Sequence, residues 1–175
     1  ESLNPHMREA LDLARAAQGQ TSPNPTVGCV VVNHGLVVGR GAHYYQQKDH
    51  AEVVALREAG ESARGAEVYL TLEPCSHQGR TGPCAEALVA AGVRSVSVAM
   101  QDPNPLVSGS GLKLLREAGI SVTMDHAAQL EATRLNEPFI HYMRTRRPLV
   151  TLKSALTLDG KIAAPEDNDG WITSE

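Results

Sequence analysis

From residue 5 onward the apolar positions of PHMREALDLARAAQ recur at helical intervals, with Met7, Ala10, Leu11, Ala14 and Ala17 on one face. Asn4 stands where a cap belongs and Pro5 at the first helical position, so the spacing predicts an amphipathic helix over 5–18. The period then changes. VGCVVV (27–32) and LVVGRGAH (36–43) are β-branched runs separated by NHG, the punctuation of a hairpin. A helix over 50–59 follows, closed by Gly60. EVYLTL (67–72), SVSVAM (95–100) and ISVTM (120–124) read as short apolar strands, with helices over 84–91 and 111–118 between them, stopped by Gly92 and Gly119. Strand–helix alternation with short gaps implies parallel pairing through right-handed crossovers. The expected architecture is α/β: a five-strand mixed sheet, hairpin first, with helices packed on both faces.

A last helix is predicted around 127–144. RTRRPLVTLKSALTLDGKIA then changes character, with a basic stretch and a proline followed by a strand-like run at 148–156. We place a boundary at 147, giving one domain over 1–147 and a segment over 148–175 too short to fold alone. That segment either docks on the first domain or opens a longer chain.

Composition narrows the function. The chain has 175 residues, 42% of them hydrophobic, which suits one ordinary domain with a proper core. A formal net charge of −4, with both signs interspersed, leaves no basic face for nucleic acid. Aromatic residues at 3% leave few rings for stacking single strands, so a small-molecule substrate is the better expectation. No apolar run is long enough for a membrane span and no signal peptide is visible, so the expected location is cytoplasmic, with no membrane partner. Oligomeric state is left open, a homo-oligomer included.

Three cysteines without a secretory signal argue against a disulfide framework and leave thiols free for metal or catalysis. Cys75 follows Pro74 just after a strand, Cys84 follows Pro83 at the head of a helix, and His50 heads another helix. Three such ligands with water in a fourth place are the usual set of catalytic zinc. Two helix N-termini aimed at one spot favour thiolate and negative charge. Glu52, two residues past His50, is placed to hydrogen-bond a water held there and serve as general acid and base. Taken singly, His50 could be a capping residue and the cysteines buried apolar groups; it is the joint pattern that points to zinc. Cys29, inside VGCVVV, reads as a core thiol.

The zinc nucleobase deaminases carry H-x-E and P-C-x-x-C, whereas here eight residues separate Cys75 from Cys84. That longer insert, in TLEPCSHQGRTGPC (71–84), together with HAEVVAL (50–56), QDPNPLVSGSG (101–111) and SPNPTVGCVV (22–31), resembles the riboflavin-biosynthesis deaminases. The resemblance runs collinearly from about residue 5 to 175. It implies a cytidine-deaminase-like three-layer α/β/α sandwich and a zinc-dependent aminohydrolase acting on an aminopyrimidine ribotide. By the same resemblance His50, Cys75 and Cys84 are zinc ligands and Glu52 is the proton shuttle. Asn24, His43, Ser76, His77, Arg80, Asp102 and Asn104 then match substrate-contact positions. Asn24 and Asn104 lie between prolines, where asparagine often serves only a turn. Arg80 suits a phosphate as a planar fork. GSGLK (109–113) lacks the spacing of a phosphate loop and reads as a helix entry.

Val54 and Gly82 depart from residues frequent in that family. Residues 149–175 resemble the opening of the family's NADPH-dependent reductase domain, with Ala155 and Trp171 at positions near the nicotinamide and Asp169 where a serine is usual. NADPH is expected only if a complete reductase domain follows. Alternatives are a deaminase of another base, nucleoside or pyrimidine, a deaminase-like binding module, and a structural zinc domain with four protein ligands.

Overall fold

The computed structural model describes residues 2–77, 82–105 and 107–162. Helix α1 (Pro5–Ala17) starts where Asn4 accepts the His6 N–H at 2.8 Å and buries Met7, Ala10, Leu11, Ala14 and Ala17, the face its spacing predicts. Strands β1 (Gly28–Asn33) and β2 (Leu36–Ala42) form the hairpin. His34 and Gly35 between them both have positive φ, 49° and 77°, the left-handed pair that a two-residue hairpin turn requires. Then come α2 (Ala51–Ala59), β3 (Glu67–Leu70), α3 (Cys84–Ala91), β4 (Ser95–Val98), α4 (Ser110–Glu117) and β5 (Ser121–Met124).

The sheet order is β2-β1-β3-β4-β5, with β1 antiparallel to both neighbours and β3, β4 and β5 parallel. Register sorts the side chains into two layers. Cys29 pairs with Gly41 and Leu70, and Leu70 with Val98. This row faces α2, α3 and α4, and all four residues are buried. Val30 pairs with Arg40 and Tyr69 on the opposite face, where Arg40 reaches Glu9 of α1 and Tyr69 packs on His6. Helices thus cover both faces in an α/β/α sandwich. The buried residues from Met7 to Ile140 form one apolar core around the sheet.

Close packing places α2. A Cβ on Gly41 would lie 1.9 Å from the Ala51 carbonyl oxygen, so only glycine lets α2 sit this near β2. The first turn of α2 is thereby pressed against the end of the hairpin.

Two expectations are corrected. The helix expected around 127–144 is two helices, α5 (His126–Leu135) and α6 (Glu137–Thr145), meeting at Asn136. Pro138 lacks the N–H that an uninterrupted helix would need and is accommodated in the first turn of α6. The strand-like run at 148–156 forms no strand. Its residues from 149 onward are exposed, including Val150 at 83% and Leu152 at 89%. A strand needs a partner for its backbone groups, and neither sheet edge, β2 or β5, takes this segment up. Strands β3 and β4 also end two residues earlier than their apolar runs, so Thr71–Leu72 and Ala99–Met100 lead into the loops that carry the site. Among the described residues no helix is long and apolar enough to cross a membrane.

Candidate metal centre and substrate cavity

His50 occupies the cap position of α2, Cys84 is the first residue of α3 behind Pro83, and Cys75 sits in the loop that leaves β3. They meet. His50 Nδ1 lies 3.2 Å from Cys84 Sγ and 3.6 Å from Cys75 Sγ, and all three donor atoms fall within 4.8 Å of one another. Ligands of a tetrahedral zinc with Zn–S about 2.3 Å and Zn–N about 2.0 Å stand roughly 3.5–3.8 Å apart, so this donor set fits the ion. The N-terminus of α3 supports the same chemistry: the Cys84 N–H donates to Cys75 Sγ at 3.3 Å and the Ala85 N–H to the Cys75 carbonyl at 3.0 Å.

The charges follow from these contacts. A hydrogen bond from the Cys84 thiol, another from His50 and the Cys84 N–H pull the Cys75 thiol down against the cost of burial. The same hydrogen bond between the two cysteines, with burial and the nearby Glu52, pushes Cys84 up. His50 is raised, first by its bond to Cys75.

Glu52 lies in the first turn of α2 and is only 4% exposed. Burial pushes its carboxyl up to about 7, partly offset by its own backbone N–H, His50 and the Cys84 thiol. His50 and Glu52 therefore lie side by side at the start of α2 and, with Cys75, line a cavity of about 340 Å³.

Loops from three directions wall that cavity. Asn24 precedes β1 and His43 follows β2; Asn24 Nδ2 and His43 Nε2 are 3.0 Å apart, and His43 Nδ1 is 2.8 Å from the Asp49 carbonyl oxygen. The carbonyl can only accept, so Nδ1 carries the proton and Nε2 accepts from the Asn24 amide. Burial lowers the His43 pKa, consistent with a neutral ring. Asp102 and Asn104 enter from the loop after β4, and His77 from the insert. Asp102 is raised, first by burial.

Two described residues predicted to contact substrate or cofactor lie off the cavity. Ser76 is half-buried and does not line the cavity. Ala155 is exposed and also off the cavity. Arg80, Trp171 and Asp169 lie outside the described residues. Val54 is half-buried on α2 but lines no part of the cavity, and Gly82 has open space around it. Cys29 is fully buried, as a core thiol should be.

Sequence reasoning missed Tyr45, Lys48, Glu73, Phe139 and Met143, all of which line the cavity. Two carried a signal. Phe139 is the chain's one phenylalanine, and Glu73 is an acid between an apolar run and a ligand cysteine. Phe139 and Met143, four residues apart on α6, present one helical face to the cavity.

The sandwich and its donor set are those of the zinc deaminases. The chain belongs to the family of the cytidine and deoxycytidylate deaminase zinc-binding region, which it matches over residues 1–100, a span holding all three donors and Glu52. It is 51% identical over 170 residues to the riboflavin biosynthesis protein RibD of Bacillus amyloliquefaciens, covering 97% of this chain and 46% of that one. Among solved structures it resembles RibD of Acinetobacter baumannii, with a TM-score of 0.85 and 50% identity over 90% of this chain and 44% of that one. It also resembles the diaminohydroxyphosphoribosylaminopyrimidine deaminase/5-amino-6-(5-phosphoribosylamino)uracil reductase of Thermotoga maritima. There the TM-score is 0.87 and identity 41%, over 97% of this chain and 49% of that one. The chain thus spans about half the length of the curated relatives it matches.

Proposed function

We propose that this chain is a cytoplasmic, zinc-dependent hydrolytic deaminase that releases ammonia from a phosphoribosylaminopyrimidine in riboflavin biosynthesis. The observation that carries the reading is the convergence of His50 Nδ1, Cys75 Sγ and Cys84 Sγ beside a buried Glu52 on a walled cavity. Likeness to the RibD proteins supports the choice of substrate over a free base or nucleoside.

His50, Cys75 and Cys84 would hold the metal, with His50 and Cys75 lining the cavity beside it. When bound there, zinc supplies a Lewis acid that makes water a nucleophile near neutral pH. Glu52 accepts a proton as the water oxygen bonds to the amine-bearing ring carbon and passes it to the ring nitrogen; it then takes the second proton from that oxygen and delivers it to the departing amine. The carbon–nitrogen bond breaks, and the products are the ring carbonyl and ammonia. Glu52 can do this because it is held beside the donors and away from bulk water.

Asn24 spends its amide N–H₂ on His43, so Oδ1 is the acceptor it offers a ring N–H. Asp102 and Asn104 contact the polar edge of the substrate, and His77 and Arg80 serve its phosphoribosyl arm. Residues 1–147 form the deaminase unit, and 148–175 are the start of a second one. The apolar side chains that this segment exposes support the division.

Ammonia release from zinc-quantified protein tests the reading, using the phosphoribosylaminopyrimidine, its dephosphorylated form, cytidine and guanine. The expected result is a preference for the phosphorylated ribotide. A preference for cytidine or guanine overturns the substrate, and no release from any of them overturns the activity.

A further inference from the structure

Glu73 is a buried acid for which the reaction above has no use. It is 5% exposed, and no ion pair among the described residues involves it. Four backbone N–H groups converge on it instead. Oε2 accepts from Asp102 at 3.1 Å and Gly109 at 2.9 Å; Oε1 accepts from Gly111 at 3.0 Å and Leu112 at 3.4 Å.

These donors have a pattern. Asp102 and Gly109 lie seven residues apart within the connection from β4 to α4, so a single carboxylate ties the 102–109 loop together at its base. Inside it the Asp102 carboxylate accepts the Asn104 N–H at 2.8 Å, and the Asn104 carbonyl accepts from Ser108 at 2.9 Å. Gly111 and Leu112 belong to the first turn of α4, whose cap residue Gly109 has no side chain to offer. Glu73 caps that helix from a distant strand end, where a negative charge is favoured. A Cβ on Gly111 would lie 2.0 Å from the Pro74 carbonyl oxygen, so α4 is pressed against the chain between Glu73 and Cys75.

We propose that Glu73 is a positioning residue for substrate binding, fixing the loop that presents Asp102 and Asn104 to the cavity. The proposal rests on the substrate-contact role given to those two residues above. A carboxylate is needed because each oxygen serves two donors; an amide would turn its own N–H₂ toward two N–H groups and lose one pair.

Steady-state deamination by wild type and Glu73→Gln tests this. The substrate is the phosphoribosylaminopyrimidine, or cytidine if only that is turned over. In the variant KM should rise about tenfold, the factor that unpaired buried donors imply. kcat should change less than about threefold and zinc content not at all, because Cys75, two residues on, is held to the start of α3 by the Cys84 and Ala85 N–H groups. Glu73→Asp, which keeps the charge, should restore part of the affinity. Combining Glu73→Gln with Asp102→Asn should raise KM by less than the product of the two single effects, because part of what Glu73 contributes acts through Asp102. A loss confined to kcat, or effects that multiply in the double variant, would overturn the proposal. Amide hydrogen exchange on the wild type needs neither substrate nor variant. The N–H groups of Asp102, Gly109, Gly111 and Leu112 should exchange as slowly as those of β4, and exchange at exposed-loop rates would sink the idea even if every variant failed to fold. Turnover of cytidine alone would count against the riboflavin reading while leaving the KM test of Glu73 intact.

Discussion

On the floor of the cavity every reactive side chain belongs to a helix start or a strand exit; on the opposite wall Asn24, Asp102 and Asn104 ride on loops. His50 caps α2, Glu52 is in its first turn, and Cys84 opens α3. The wall is held by polar side chains reaching across the fold. Glu73 gathers the 102–109 loop. Asn136 accepts the Thr26 N–H at 2.7 Å and donates to the Thr26 carbonyl at 3.0 Å, pairing with a residue 110 positions away. One region takes its precision from backbone geometry, the other from a few buried hydrogen bonds. Chemistry belongs on the first and affinity on the second.

The largest effect that this contrast predicts is at the floor. Cys84→Ala removes a donor that no neighbouring residue replaces, since His50, Cys75 and Cys84 are the one such cluster among the described residues. Bound zinc by elemental analysis should drop to background and ammonia release with it. Retained stoichiometric zinc would show that the donors were wrongly chosen. Glu52→Gln should be nearly as severe in rate yet leave the metal in place. General acid–base catalysis is worth about 10²–10⁴-fold, so kcat should fall within that range at unchanged zinc content. Near-normal turnover in metal-loaded protein would remove Glu52 from the reaction.

At the wall the losses should be smaller and of another kind. Asn136 is 1% exposed, and truncating it to alanine leaves the Thr26 N–H and carbonyl buried without partners. Unmet groups of this kind cost about 1–3 kcal/mol each, and with two of them the melting temperature should drop by roughly 4–24 °C at this chain length. KM should rise as well, because the same amide ties the loop that carries Asn24 to the start of α6, whose Phe139 and Met143 line the cavity. A variant with a normal melting temperature would mean that floor and wall are held alike.

The same contrast explains what could be read from the chain. The floor was legible because its signals are local: a histidine and a glutamate two residues apart at a helix start, and Pro-Cys pairs at a strand exit and a helix entry. Gly60, Gly92 and Asn4 ended or began their helices as expected, again through groups within a few residues. Asn136 gave no such sign, and the position of Glu73 showed an acid but not what it binds, because their partners across the fold lie 110 and 29 to 39 residues away and are chosen by topology. The expected helix around 127–144 failed for a related reason. Its apolar spacing continues through the break, and only the buried bonds of Asn136 and the imino nitrogen of Pro138 divide it. The run at 148–156 is apolar enough for a strand, but a strand is a property of two segments, and no edge here pairs with it.

The smallest effect concerns α4 itself, on which two carboxylates act. Glu73 binds its first turn from inside, through the N–H groups of Gly111 and Leu112, and its cap through that of Gly109. Glu117 lies at its last turn, 3.8 Å from Lys113, with the two side chains 67% and 76% exposed. Water screens such a pair, and holding two long side chains together costs entropy, so its net worth is a few tenths of a kcal/mol. Lys113→Ala should therefore move the melting temperature by no more than about 1 °C, with KM unchanged. If calorimetry instead showed a loss as large as that of Glu73→Gln, charge would matter to α4 wherever it sits, and the buried carboxylate would lose its special place in ordering the wall.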